Sequence, residues 1–159
     1  MNEEEKLDTS FVGHHISSGG FIFYKDIATS EIFTLMITNQ ENVIWICKGH
    51  LEKNEDQISA AFREFKEEMG LEKSNLEYVG LVKKISYSYE ENGGNNTKDV
   101  YINVFSANEK IDLSKNIGVE DITKIEWYLF EDALNEIYFN KEELSEAKDM
   151  FINYLKTYE

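Results

Sequence analysis

The chain has 159 residues, of which 31 are acidic and 16 basic, so its formal net charge is −15. An apolar fraction of 42% argues against a disordered chain, and the negative charge disfavours an anionic membrane surface or a stable nucleic-acid partner. The length predicts one domain over residues 1–159, with residues 1–12 as a frayed polar lead-in. A single cysteine and the lack of an apolar leader favour a cytoplasmic protein.

Apolar and β-branched runs mark the predicted strands. These lie at residues 16–25, 31–39, 42–49, 76–89, 99–108 and 124–130. Two glycines and three asparagines predict a loop over residues 90–98. Residues 141–158 predict a helix, and its apolar side consists of Leu144, Ala147, Phe151, Tyr154, Leu155 and Tyr158. Strands on both sides of a central helix, with a closing C-terminal helix, favour a mixed α/β sandwich.

The stretch GHLEKNEDQISAAFREFKEEMGLE supplies that central helix. Its predicted core side consists of Ile58, Phe62, Phe65 and Met69. Glu64, Glu67 and Glu68 lie in a different arc, at spacings that let their carboxylates converge on one point. Ala60 and Ala61 are expected beside them, adding no bulk to a shallow acidic surface.

The acidic side of this helix has two interpretations. A solvated acidic face is the common one for a glutamate-rich helix, but like charges at these spacings destabilise the helix by a few tenths of a kcal/mol per pair. Clustered carboxylate oxygens are also the ligands that Mg²⁺ and Mn²⁺ prefer. A bound divalent cation would convert the repulsion between the glutamates into attraction.

Seven positions of this stretch have the spacing of a known motif. They are Gly49, Glu55, Arg63, Glu64, Glu67, Glu68 and Gly70, and together they resemble the Nudix box. The resemblance implies a Nudix-type α/β/α sandwich with a central mixed sheet and a loop–helix–loop. It also implies an Mg²⁺-dependent hydrolase, with Mn²⁺ as a substitute, that cleaves a nucleoside diphosphate linked to another moiety.

The resemblance assigns roles to single residues. The metal ligands would be Glu64 and Glu68, with Glu67 adding to the cluster and Glu120 or Asp121 as a further acid. Glu55 would arrange the site by pairing with Arg63, whose planar fork can hold a carboxylate in two places. Either Glu64 or Glu67 would act as the general base for an attacking water. Gly49 and Gly70 would allow close approach and special backbone conformations.

The segment CKGHLEKNED is similar to the PKGH-x-E signature of asymmetric dinucleoside tetraphosphate hydrolases within the Nudix superfamily. That similarity implies hydrolysis of diadenosine tetraphosphate to ATP and AMP. The substrate-binding residues it implies are Lys48, Gly49 and His50 and the lysines Lys83, Lys84 and Lys98 at the phosphates, and Tyr87, Tyr89 or Tyr101 stacked on adenine. Cys47 stands where the signature has proline, and Lys53-Asn54 replaces its Pro-Gly. The partner expected is a small nucleotide.

Several alternatives stay open on the sequence. The same chemistry could act on an RNA 5′ end, a diphosphoinositol polyphosphate, ADP-ribose or a nucleoside triphosphate, and a non-catalytic nucleotide sensor is a different class. His14 and His15 are interpreted as surface residues, and Cys47 as a small buried hydrophobe. The sequence does not define the oligomeric state.

Overall fold

The computed structural model describes residues 14–91, 93–117 and 121–157. The expected lead-in, Glu120 and Tyr158 lie outside these ranges. The strands are β1 (His14–Lys25), β2 (Ile32–Asn39), β3 (Ile44–Trp45), β4 (Cys47–His50), β5 (Leu76–Glu91), β6 (Gly94–Ala107) and β7 (Ile122–Leu129). The helices are α1 (Gln57–Met69), α2 (Phe130–Glu136) and α3 (Lys141–Lys156), with a 3₁₀ turn at Lys73–Asn75. No helix of the described part of the chain is long and apolar enough to cross a membrane.

Strand β1 organises the sheet. It pairs in parallel with β6 along one side, and on the other side it pairs antiparallel with both β2 and β4. β5 joins β6 and β7 joins β2, both antiparallel, so the described strands form one mixed seven-stranded sheet. The predicted mixed α/β sandwich is therefore confirmed. Because side chains alternate along each strand, β1 presents its odd and even residues to opposite layers.

The two helical layers cover opposite faces of this sheet. On one face α1 buries Ala60, Ala61, Phe65 and Met69. On the other, α3 buries Leu144, Ala147 and Phe151, and the Phe151 ring stacks on Phe23 at 5.2 Å between centroids. The predicted apolar side of α3 is confirmed for these three residues. The prediction for Ala60 and Ala61 was wrong: both are fully buried, because the core side of α1 is wider than the large apolar residues indicate.

Helix α1 has defined ends. The Asp56 side chain caps its first turn by accepting a hydrogen bond from the Ser59 N–H at 2.7 Å. Gly70 ends it in the left-handed region at φ 70°, where glycine carries no steric penalty. These caps fix where the acidic residues of the helix begin and end, so sequence and structure agree closely here.

A buried polar network ties the first residue of α1 to the sheet. The side-chain amides of Gln57 and Asn103 exchange two hydrogen bonds, of 2.7 and 3.1 Å. The Ser18 hydroxyl contacts Gln57, and the Tyr78 hydroxyl donates to Asn103 at 3.1 Å. β1, β5 and β6 therefore all hold the N-terminal end of the helix.

The structure departs from the sequence prediction most clearly in three regions. The predicted loop over residues 90–98 is mostly strand, because β5 and β6 continue as a hairpin that turns near Gly93, at φ 77°. The run over residues 42–49 forms two short strands, β3 and β4, which pair with different neighbours. The predicted strand at residues 124–130 ends at Leu129, and α2 begins there without having been predicted.

Candidate active site

Arg63 is the centre of the acidic group, which we define as Glu55, Glu64, Glu67 and Glu68 together with this arginine. Its Nε and Nη2 donate to the two oxygens of Glu55 at 2.8 and 3.0 Å, so the predicted Glu55–Arg63 pair is confirmed. Its Nη1 donates to Glu64 at 3.0 Å and to Glu67 at 2.9 Å. Hydrogen bonds to Glu55 are the main reason that the pKa of Arg63 is raised. The guanidinium therefore stays charged and holds three carboxylates.

The loop before α1 explains how the chain tolerates Lys53-Asn54 in place of Pro-Gly. Asn54 has φ 67°, a left-handed conformation that asparagine adopts more readily than other non-glycine residues. The Glu55 carboxylate accepts a hydrogen bond from the Glu52 N–H at 2.9 Å, which closes the turn. Arg63 Nη2 also donates to the His50 carbonyl at 2.8 Å and ties this loop to β4.

Glu64 lies against the backbone of Gly49. A Cβ atom built on Gly49 would overlap the Glu64 carboxyl group, so a side chain at this position would displace it. The predicted need for a close approach at Gly49 is thereby confirmed. Glycine at this position sets how near the carboxylate can come to strand β4.

Glu68 is a half-buried carboxylate of the acidic group. Burial, followed by its contact with the Glu64 side chain, raises the pKa of Glu68 to about 7. The Cys47 thiol lies 3.4 Å from Glu68 Oε2, and burial raises the pKa of that thiol well above its usual value. Cys47 is therefore a buried thiol, as predicted, and the Glu64–Glu68 pair is left with repulsion that Arg63 only partly offsets.

The three glutamates of α1 do not converge as predicted. Glu67 is bound to Arg63 and its side chain is 54% exposed, whereas Glu64 and Glu68 are mostly buried. Among residues 14–91, 93–117 and 121–157, no three His, Cys, Asp or Glu side chains are grouped to bind one ion. Asp121 lines the same cavity as Glu68, and Glu120 lies outside the described residues.

Positively charged side chains lie on the strand side of the site. Lys48 lines a cavity of about 530 Å³ together with Glu68 and Asp121. Burial, followed by repulsion from Lys98, lowers the pKa of Lys48 to about 8. Burial and the same Lys98 ammonium lower the pKa of His50. We call Lys48, His50 and Lys98 the basic cluster; the structure brings together these three predicted phosphate contacts.

A second, apolar cavity adjoins the first. Its volume is about 440 Å³, and Trp45, Ile85, Tyr87, Val100, Phe139 and Asn140 line it. Tyr87 is 46% exposed, and Trp45 and Phe139 line both cavities. The indole N–H of Trp45 is buried without a hydrogen-bond partner among the described residues. Phe139 could not be assigned to a ligand from the sequence, because it meets Trp45 only in the folded structure, through the loop after α2.

Three predicted substrate residues lie elsewhere. Tyr101 is 8% exposed and packs in a core cluster with Ile16, Leu51 and Ala60, so its ring has no free face for a base. Lys84 Nζ lies over the Tyr101 ring and 3.9 Å from Asp99, on the α1 side of the sheet. Lys83 pairs with Glu143 of α3 at 3.6 Å. These placements argue against substrate contacts for Tyr101, Lys84 and Lys83.

The chain belongs to the NUDIX domain family, which matches residues 34–149. The matched region contains all of α1 and runs into α3. A comparison with curated proteins gives no match.

Solved structures share this fold. A C. elegans Ap4A hydrolase in a binary complex is 22% identical, with 90% of this chain and 98% of that chain covered and a TM-score of 0.60. The NUDIX domain of Shewanella oneidensis NrtR, in complex with ADP ribose, is 12% identical, with 95% and 99% covered and a TM-score of 0.62. RenU from M. smegmatis, a Nudix hydrolase, is 14% identical, with 91% and 90% covered and a TM-score of 0.60. At these identities the likeness shows the fold alone.

Proposed function

We propose that this chain is a divalent-metal-dependent pyrophosphohydrolase that cleaves dinucleoside polyphosphates, converting diadenosine tetraphosphate and water to ATP and AMP. The observation that carries the proposal is that Glu68 and Lys48 line one cavity, which shares Trp45 and Phe139 with the apolar cavity. Carboxylates suited to a cation, the Lys48 ammonium suited to phosphate and rings suited to a base thus line two cavities that share residues.

The donor set fits Mg²⁺ or Mn²⁺. Glu64 and Glu68 offer hard carboxylate oxygens, and their contact with each other raises the pKa of Glu68, which a cation would reverse. Glu64 and Glu68 would hold the metal, with Glu67 and Asp121 as further candidates. When bound there, a divalent cation neutralises phosphate oxygens and lowers the pKa of a water ligand.

The chain's own residues supply the remaining parts of the reaction. The basic cluster would bind the phosphate oxygens, and the Tyr87 ring would pack against one base. Arg63 orients Glu64 and Glu67, either of which would accept the proton of the attacking water. Attack on phosphorus then breaks one phosphoanhydride bond and leaves the two nucleotides.

The alternatives use the same cleft. Hydrolysis of ADP-ribose, an RNA 5′ end or a nucleoside triphosphate would use the same acidic group. The substrate would then make different contacts with the residues of the strands. A nucleotide sensor would bind without turnover. The intact acidic group, with Glu64 and Glu68 both present, favours hydrolysis over sensing.

The deciding experiment is product analysis of the purified protein with Mg²⁺. Diadenosine tetraphosphate, ADP-ribose, triphosphorylated RNA and dGTP are compared by kcat/KM, and we expect the first to rank highest and to give ATP plus AMP. Glu68→Gln tests the site, and Glu72→Gln is the control, because Glu72 follows α1 and pairs only weakly with Lys66, at 3.6 Å. A higher kcat/KM for another substrate would contradict the substrate assignment, and binding without turnover would favour the sensor.

A further inference from the structure

Two further residues, His15 and Ser17, lie next to the basic cluster on the same face of the sheet. Ser17 of β1 is paired with His50 of β4, and His15 is paired with Lys98 of β6. Directly paired residues point to the same side of a sheet. His15 and Ser17 therefore share a face with the basic cluster.

His15 extends the cluster rather than lying apart from it. Its ring centroid is 5.6 Å from that of His50 and 6.4 Å from that of Tyr89. His15 also contributes to lowering the pKa of His50, after burial and Lys98. His15 is half-buried, and the sequence interpretation of it as a surface residue did not foresee its contacts with His50 and Tyr89.

The carboxylate nearest in sequence faces the other way. Asp99 follows Lys98, and it lies 3.5 Å from His14 and 3.9 Å from Lys84, both of which are on the α1 side of the sheet. The alternation along β1 and β6 thus places Asp99 with His14, and Lys98 with His15. Lys98 and His15 therefore share a face of the sheet, and Asp99, the carboxylate next to Lys98 in the chain, lies on the opposite face.

Ser17 gives an independent indication of a ligand. It is 1% exposed, and its hydroxyl has no hydrogen-bond partner among the described residues. A buried hydroxyl without a partner costs about 1–3 kcal/mol. Its strand neighbours are His50 of β4 and Val100 of β6, so Ser17 lies directly beside a member of the basic cluster.

We propose that His15 and Ser17 extend the basic cluster into a subsite for the phosphate groups beyond the cleaved bond. The cluster and this extension cover β4, β1 and β6, which at about 4.8 Å between strands span roughly 10 Å. That span suits a chain of several linked phosphates better than a single one. The inference rests on the proposed function and identifies what would make this cleft prefer a long polyphosphate bridge.

The test measures binding of inorganic tripolyphosphate by calorimetry at fixed pH without divalent metal, so it does not depend on turnover. We expect His15→Gln to weaken the Kd about tenfold and Ser17→Ala about fivefold. His14→Gln is the matched control: His14 is the adjacent histidine, hydrogen-bonded to Thr97 at 2.6 Å on the opposite face, and binding should stay within about twofold.

A second readout separates binding from folding. Ser17→Ala removes a hydroxyl without a partner, so its Tm should equal or exceed that of the wild type while binding weakens. An unchanged Kd in both variants, or equal losses in His14→Gln and His15→Gln, would overturn the inference. If diadenosine tetraphosphate is not hydrolysed but the Kd values change as expected, the subsite stands and the proposed function fails. If diadenosine tetraphosphate is hydrolysed while the Kd values are unchanged, the proposed function stands and the subsite is rejected.

Discussion

The acidic group and the basic cluster meet at the cavity that Glu68 and Lys48 line, but the fold treats them differently. Arg63 ties Glu55, Glu64 and Glu67 to each other and to the His50 carbonyl, so most of the acidic group is held by hydrogen bonds. Lys48 and Lys98, by contrast, are held close enough for repulsion to lower the pKa of Lys48. The acidic group is thus held by the protein itself, whereas the proposed phosphate ligand would relieve the repulsion within the basic cluster. Changes in the acidic group should affect catalysis and folding, and changes in the basic cluster should affect binding.

The largest expected effect comes from Glu68→Gln. It removes one charge from the Glu64–Glu68 pair while keeping the shape, so we expect kcat to fall by about 10²–10³-fold. The metal-free Tm should not fall, because a repulsive contact is relieved. Melting with and without Mg²⁺ adds a second check: the wild type should be stabilised by the cation and the variant should not. Turnover near that of the wild type would rule out a metal role for Glu68.

Arg63→Lys tests how the acidic group is held. Lysine has no planar fork, so the paired contacts with Glu55 and the bonds to Glu64 and Glu67 cannot all be kept. We expect the free energy of unfolding in urea to drop by about 2–3 kcal/mol, since carboxylates on the partly buried loop would lose their partner. An unchanged urea midpoint would mean that water replaces Arg63 as the hydrogen-bond partner of these carboxylates.

Gly49→Ala tests the close approach of Glu64. The added Cβ overlaps the Glu64 carboxyl group, so this side chain must move. We expect kcat to fall about 10–100-fold with KM within about threefold, because the basic cluster is not displaced. A rise in KM without a change in kcat would mean that the added methyl group disturbs substrate binding rather than the position of Glu64.

The smallest expected effect is the change in KM caused by a substitution in the apolar cavity. Tyr87→Ala should raise KM for diadenosine tetraphosphate about tenfold, since stacking of a base on an aromatic ring contributes about 1–3 kcal/mol. Tyr87→Phe keeps the ring and serves as the matched control, with KM expected to stay within about twofold. Equal losses in the two variants would point to the hydroxyl rather than the ring.

The central helix was predictable from the sequence because its signals are local. Asp56 caps it, Gly70 ends it, and the positions from Glu55 to Glu68 follow a fixed spacing. Even there, the local pattern did not show that Glu67 would bind Arg63 instead of joining Glu64 and Glu68.

The substrate side was less predictable because it depends on strand register. β5 contains register shifts between Tyr78 and Gly80 and between Leu81 and Lys83. Each shift reverses the layer to which the following β5 side chains point, so alternation counted along the sequence fails between the two shifts and holds again after Lys83. Tyr87 lines the apolar cavity, whereas Tyr101 of β6 is buried on the opposite face, and the pairing of β6 with β1 and β5 decides which face each of them takes.

The polar network at Gln57 has a consequence for how the acidic helix moves. Helix ends ordinarily fray, but the amides of Gln57 and Asn103 fix the N-terminal end of α1 to the interior of the sheet. The buried Phe65 and Met69 side chains anchor the other end, so amide hydrogens bonded within α1 should exchange together rather than by fraying from one end. Glu64 and Glu68 would then leave their places together, so the site would be lost in one step rather than one carboxylate at a time.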